Sequence, residues 1–303
     1  MNRKLLLELF PLRGCPETKK FEALKISAGA IASVVIVEFI LGYAVNSLSI
    51  ISDGAHALLD FASILMLLLA TKVSLKLPDE EHMYGHEKIE VFGGFIGGII
   101  LFATSVFLII EAFYKIVGGE LAVVKELELA GFAAIAYTLF IDFLRIKVLH
   151  PLEHESVTVK AGFYHSVADL GSTLIALLGF GIATLGFPIF DGLASIVLCI
   201  ILGYLSIGLL KESVLDLVDS APRNIIEDIR KIYTSACCTP VQTIKVRKAG
   251  RKIFVEVVVK MPDEINLEEA HNIILKAEEK IKKAFGKVEI ITHVCPASDS
   301  KHY

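Results

Sequence analysis

Long apolar segments separated by short polar stretches make up about the first 210 residues of the chain. Six such segments can be drawn, and each reaches the ~20 residues that a helix needs to cross a bilayer. They run roughly over residues 26–48, 51–75, 91–117, 127–149, 159–185 and 189–210. This pattern predicts an α-helical membrane protein with six transmembrane helices.

The pattern changes after about residue 213, where charged and apolar positions alternate as in a soluble domain. The order helix, strand, strand, helix, strand is read from PRNIIEDIRKIYTSA, VQTIKVRKAG, RKIFVEVVVKM, NLEEAHNIILKAEEKIKKAFG and VEIITHVCP. Asn266 is the expected N-cap of the second helix, with Glu269 in the capping-box position and Gly286 as its stop. These signals predict a small cytoplasmic α+β domain.

Basic residues set the predicted orientation, because cytoplasmic loops carry an excess of lysine and arginine. They are concentrated before the first segment, between the second and third, and between the fourth and fifth, where Arg145, Lys147 and Lys160 are counted. Both termini are therefore expected on the cytoplasmic side of the cell membrane. The predicted division is a cytoplasmic segment 1–25, a transmembrane domain 26–212 and a cytoplasmic domain 213–303.

Composition agrees with a membrane protein and excludes one class of partner. Hydrophobic residues make up 54% of the 303 residues, well above the share of a soluble chain. No basic block or aromatic-basic interleaving suggests nucleic-acid binding. The five cysteines are scattered, form no CxxC and are interpreted as free thiols in a reducing compartment.

Two histidine–aspartate pairs stand inside apolar segments. His56 and Asp60 lie in the second segment, and His165 and Asp169 lie in the fifth, four residues apart in each case. On a helix this spacing places both side chains on one face. Ionisable residues at membrane depth are costly and are functional-site candidates by default. Polar contacts that only join helices are the alternative, which the repetition of the pair disfavours.

Two imidazoles and two carboxylates form a donor set that tetrahedral zinc accepts, although cobalt, cadmium and iron are not excluded. Both side-chain types must lose protons to bind a metal. A site of this kind can exchange protons for metal, so metal–proton exchange is the hypothesis.

Two further sets contain metal-binding side chains. Asp79, His82 and His86 lie after the second segment and share a face if helical, or converge at Gly85 if looped. A solvated polar loop is the alternative. The C-terminal set is His271, His293 and Cys295, and surface histidines with a buried cysteine are its alternative.

Three other acidic residues lie in or near the segments and rank below the four intramembrane residues. Glu38 is deep in the first segment, and Asp53 is a candidate cap of the second helix. Asp142 is expected to pair with Arg145 or a lysine.

With these residues the chain resembles the cation diffusion facilitators, a family of zinc-exporting transporters. The resemblance covers nearly the whole chain: six spans, the paired His and Asp, the Asp-x2-His-x3-His loop and a metallochaperone-like C-terminal domain. It implies a homodimer that exchanges cytoplasmic divalent metal for protons by alternating access.

The resemblance also implies roles for individual residues. His56, Asp60, His165 and Asp169 would form the transport site, and Asp79, His82 and His86 a second, interfacial site. Lys88 and Asp219 match an intersubunit charge interlock near the membrane surface. His271, His293 and Cys295 fall where the family has a dimer-bridging cytoplasmic site.

Departures from the family pattern bear on the metal. Some bacterial members carry Asp at the position of His56, and the histidine resembles zinc-selective members. Members that prefer manganese have an Asp-richer motif that this chain lacks. In the C-terminal domain, positions that often hold histidine are Gln242 and Val258, and Cys295 replaces an acidic residue.

Two other functional classes remain open at this stage. An intramembrane metalloenzyme would need an open ligand position and a base, and the chain lacks HExxH and multi-histidine clusters. A membrane sensor or scaffold that binds metal without moving it would be identified by binding without flux.

Overall fold

The computed structural model describes residues 16–44, 48–118, 129–184, 189–221, 223–237, 241–250 and 252–298. The chain divides into two compact units, Met1–Ser213 and Val214–Tyr303. The described residues up to Leu217 form six long helices, the sixth of which continues past Ser213: α1 Pro16–Ala44, α2 Leu48–Ser74, α3 Glu87–Gly118, α4 Leu129–Leu149, α5 Val157–Thr184 and α6 Ile189–Leu217.

Three of these helices contain stretches that are, within the described residues, long and apolar enough to cross a membrane. The stretches are Thr18–Leu41 in α1, Ala57–Ser74 in α2 and Glu87–Ile110 in α3. Helix α4 carries three charged residues, Asp142, Arg145 and Lys147. The arrangement with six spans stays a prediction.

Two features of the predicted helices and loops differ from the structure. Helix α1 begins at Pro16, before residue 26, where the first apolar segment was drawn. Arg145 and Lys147 lie within α4, and Lys160 lies within α5. None of them is in the loop between the fourth and fifth segments, where they were counted as orienting charges. The link itself is a short 3₁₀ turn, His150–Leu152, followed by 153–156.

The core of the first unit is formed where α1, α2, α4 and α5 pack together. Leu24, Ile64, Leu149 and Val159 are almost completely buried in it. Helix α3 packs against both α2 and α5. Glycines on α3 allow these close approaches, as small residues generally do between membrane helices.

A buried polar cluster joins α1, α2, α3 and the residues that lead into α5. Its centre is Glu90, which accepts hydrogen bonds from Lys20, from the Ser74 hydroxyl at 3.2 Å and from the Ser156 hydroxyl. Lys20 and Glu90 are both buried, so their charges neutralise each other inside the protein. The cluster fixes the start of α3 relative to the ends of its neighbours.

The second unit is an α+β domain. Helix α7 covers Arg223–Cys237, and α8 covers Leu267–Phe285; the strands are β1 Val241–Ala249, β2 Lys252–Met261 and β3 Val288–Pro296. The sheet order is β1-β2-β3, antiparallel between β1 and β2 and parallel between β2 and β3. A parallel pair needs a crossover connection, and α8 provides it.

Local signals in this unit act as predicted. Asn266 caps α8 by accepting a hydrogen bond from the backbone N–H of Glu269 at 2.9 Å. Gly286 ends the helix with a φ of 79°, a conformation that favours glycine. The core between sheet and helices includes Tyr233 and Val257. The Tyr233 hydroxyl lies 2.7 Å from the Thr292 hydroxyl, so its polar atom is paired.

Candidate metal centre

The pairs on α2 and α5 meet across the helix interface. Asp60 Oδ1 lies 2.9 Å from His165 Nε2, although the two residues are far apart in the chain. One ligand atom each from Asp60, His165 and Asp169 lies within 4.8 Å of the others. His56 belongs to α2, but its side chain is outside the described residues, as is that of Asp53. Three of the four predicted residues are therefore together.

The donors have the chemistry of a divalent-metal site. Imidazole nitrogen and carboxylate oxygen are both zinc ligands, at about 2.0–2.2 Å from the ion. Asp60 and His165 are buried and Asp169 is partly buried. Two carboxylates next to an imidazole in an apolar bundle supply negative charge that a dication neutralises.

The sequence interpretation missed the role of Arg145. The residue was counted among loop charges, but it is fully buried on α4. Its Nη1 donates to Asp142 Oδ1 and to Asp169 Oδ2, each at 2.9 Å. Asp142 is also fully buried. Of the two partners expected for it, Arg145 or a lysine, the structure shows Arg145. The available signal was the three-residue spacing from Asp142 inside an apolar segment, which places both side chains on one helix face.

Glu38 lies at a different helix contact. It is buried on α1, and its Oε1 accepts a hydrogen bond from the Thr138 hydroxyl of α4 at 2.9 Å. The contact joins α1 to α4, and Glu38 is not in the group of ligand atoms formed by Asp60, His165 and Asp169.

The loop between α2 and α3 brings Asp79, His82 and His86 together. Asp79 Oδ1 is 3.0 Å from His82 Nδ1, and Asp79 Oδ2 is 3.3 Å from His86 Nε2. The segment is a loop, with Gly85 at a φ of 93°, so the looped alternative describes it. One ligand atom of each residue lies within 4.8 Å of the others, which makes this a second group able to hold a metal.

Exposure distinguishes this loop group from the intramembrane one. Asp79 and His82 are exposed, while His86 is buried. The backbone N–H of His82 donates to Asp79 Oδ1 at 2.7 Å, and this bond, with the two histidines, lowers the pKa of the carboxyl below its ordinary value. The carboxylate is thus kept in the form that binds metal.

The C-terminal set does not converge within the chain. His271 on α8 and His293 on β3 are exposed, and Cys295 on β3 is a buried free thiol. Cys295 is paired in register with Lys260, and His293 with Val258. The three residues are absent from the groups of described side chains whose ligand atoms lie close enough to share an ion.

Lys88 and Asp219 belong to different units. Lys88 is partly buried in the first turn of α3. Asp219 is exposed just after α6 and has a φ of 60°, which is unusual for a residue other than glycine.

Comparison with known proteins identifies the family. The transmembrane domain of cation efflux proteins matches residues 24–218, and the cytoplasmic domain of cation efflux proteins matches residues 221–297. The chain belongs to the cation diffusion facilitator family. Cation diffusion facilitators are membrane transporters for divalent cation efflux and are not enzymes, which excludes the intramembrane metalloenzyme.

Relatives of this facilitator resemble it over most of its length. An uncharacterized transporter of Methanocaldococcus jannaschii is 27% identical over 264 residues, which are 84% of this chain and 93% of that protein. The manganese efflux system protein MneP of Bacillus subtilis is 26% identical over 83% of this chain and 87% of its own length. The cation-efflux pump FieF of Klebsiella pneumoniae is 26% identical, with coverage of 90% and 92%.

Proposed function

We propose that this facilitator exports zinc from the cytoplasm in exchange for protons, by alternating access, as a homodimer in the cell membrane. The proposal includes six spans with both termini in the cytoplasm. The observation that carries it is the convergence of Asp60, His165 and Asp169 from two helices. His56, four residues before Asp60 on α2, is the proposed fourth ligand.

The donor set supports zinc as the first substrate to test. Imidazole suits zinc and iron, whereas carboxylate and water ligands suit manganese. The relative MneP is named for manganese efflux, so manganese belongs in the comparison beside cadmium, cobalt and iron. The geometry of Asp60, His165 and Asp169 supports a divalent ion without selecting one of these metals.

Proton exchange follows from the ligand chemistry. A histidine and a carboxylate both bind metal in their deprotonated forms, and both take up protons when the metal leaves. The same side chains can therefore carry the two transported species in alternation. A proton gradient directed into the cell would then drive the metal outward.

The remaining predicted residues take accessory roles in the proposal. Asp79, His82 and His86 offer three donors at an exposed loop, which suits transient binding of metal better than permanent retention. Lys88 and Asp219 would form the charge interlock between subunits, so charge removal at either should shift purified protein from dimer towards monomer. Unchanged dimer content would argue against the interlock. His271, His293 and Cys295 could share a metal only across the dimer.

Metal uptake into proteoliposomes under an imposed pH gradient tests the proposal. Zinc, cadmium, cobalt, iron and manganese are compared in the unmodified protein and in Asp169→Ala. Asp228→Ala is the matched control, because it removes an exposed aspartate on α7, outside both ligand groups. Gradient-driven zinc flux should vanish in Asp169→Ala and persist in Asp228→Ala.

Two outcomes would contradict parts of the proposal. Full-rate zinc flux in Asp169→Ala would remove the intramembrane group as the transport site. If the unmodified protein binds zinc but neither it nor the variants show zinc flux, the second candidate function, a metal sensor or scaffold, is favoured instead.

A further inference from the structure

Arg145 has a hydrogen-bonding arrangement that leaves it between two carboxylates. A single nitrogen, Nη1, is 2.9 Å from both Asp142 Oδ1 and Asp169 Oδ2. Its Nε donates to the Ser27 hydroxyl of α1 at 3.2 Å, which anchors the base of the guanidinium group. Asp169 is thus held by an arginine at the same time as it faces the other candidate metal ligands.

The other atoms of this pair show that a second arrangement is available. Among the described residues, neither Arg145 Nη2 nor Asp142 Oδ2 has a hydrogen-bond partner, although both atoms are buried. Arginine and a carboxylate commonly form two parallel hydrogen bonds, which would use both of these atoms. Buried polar groups without partners cost free energy, so a turn of the guanidinium onto Asp142 would satisfy them.

Charge balance points the same way. In the deprotonated form that binds metal, with His165 neutral, the carboxylates of Asp60, Asp142 and Asp169 together with the Arg145 guanidinium give a formal charge of two negative units. A divalent cation neutralises that charge completely. Without Arg145 the same group would carry three negative units and would retain a dication more strongly.

We propose that Arg145 is a tethered competitor of the transported metal: it holds Asp169 in the metal-free chain and moves fully onto Asp142 when metal binds. This inference rests on the proposed transport site. Asp142 is then the second position of the guanidinium, and it is not a metal ligand. The competition weakens metal binding and speeds release, because Arg145 reclaims Asp169 as the ion leaves.

The direction in which two substitutions change the zinc affinity distinguishes this role from a purely structural one. Arg145→Gln removes the competitor, so zinc should bind more tightly, with a dissociation constant about ten-fold lower or more, the scale of one lost charged hydrogen bond. Asp142→Asn removes the alternative partner, so Arg145 stays on Asp169 and zinc should bind more weakly. A pair that only stabilises the fold would give weaker binding in both variants.

Calorimetric titration of the purified full-length protein with zinc chloride provides the measurement. The component of the zinc-binding curve that is lost in Asp169→Ala is assigned to the transport site. Lys147→Gln is the matched control, since it removes a positive charge from the same helix at a residue that packs over the Phe143 ring. Its zinc affinity should equal that of the unmodified protein. In proteoliposomes, Arg145→Gln should lower both the half-saturating zinc concentration and the maximal rate.

Arg145→Lys serves where the glutamine variant does not fold. Lysine keeps the charge but lacks the planar fork that can bond a carboxylate twice, so the dissociation constant should fall by a smaller factor. An Asp169-dependent component with unchanged or weaker affinity in the folded Arg145 variants would overturn the competition while leaving the transport site intact. Absence of any Asp169-dependent component would overturn both.

Discussion

Replacement of Gly94 on α3 by alanine, the smallest possible enlargement, should destabilise the protein. A Cβ at this position would overlap Val157 Cγ1 and would lie 2.9 Å from Val157 Cβ and 3.2 Å from its backbone carbonyl carbon. Valine is stiff at χ1 and cannot swing away from the contact. The backbone at the start of α5 must therefore shift, and α5 carries His165 and Asp169.

The cost of Gly94→Ala can be worked from two opposing terms. Overpacking of a tight contact typically costs ~1–3 kcal/mol. Alanine recovers up to ~1 kcal/mol of helix propensity relative to glycine. With the full propensity gain, the net destabilisation should be about 0–2 kcal/mol, which corresponds to a melting temperature lower by up to about 8 °C for a unit of this size.

Thermal unfolding of the detergent-purified protein, followed by loss of helical circular dichroism, measures this shift. Gly29→Ala on α1 is the matched control, because a Cβ there meets nothing within 4 Å. That variant should melt at or slightly above the temperature of the unmodified protein. A Gly94→Ala variant that melts as high as Gly29→Ala would refute the packing argument.

Two further perturbations test other parts of the first unit. Glu90→Gln leaves the buried Lys20 without its counter-charge and should destabilise the protein by about 3–5 kcal/mol, which Lys20→Met in the same chain should largely restore; equal melting of the single and double variants would contradict this. Because the pKa of Asp79 is lowered in the folded loop, its stabilising contribution is present above the ordinary value of 3.8 and is lost as pH falls through the lowered pKa. Titration of the Asp79 carboxyl followed by NMR should give a midpoint below 3.8, and the midpoint should rise in His82→Ala. A midpoint at 3.8 in the unmodified chain would argue against the His82 contacts.

Signals that act over one or two turns were readable from the sequence. The four-residue spacing on α2 and α5 depends only on helix geometry, so the pairs could be found without knowing which helices meet. The capping of α8 by Asn266 and its end at Gly286 are equally local. The family resemblance, carried by these motifs, is confirmed by the matches over 24–218 and 221–297.

Contacts between distant residues were decided by tertiary packing. A charge count along the chain put Arg145 in a loop, whereas burial between α1, α4 and α5 gives it contacts to Ser27 and Asp169. The sequence also left the Asp79 segment open between helix and loop. Which faces of two helices meet depends on side-chain packing along their whole interface, which no short window of sequence contains. Helix periodicity indicates which face of its own helix Asp60 or His165 occupies. The packing of the bundle determines that these two faces meet.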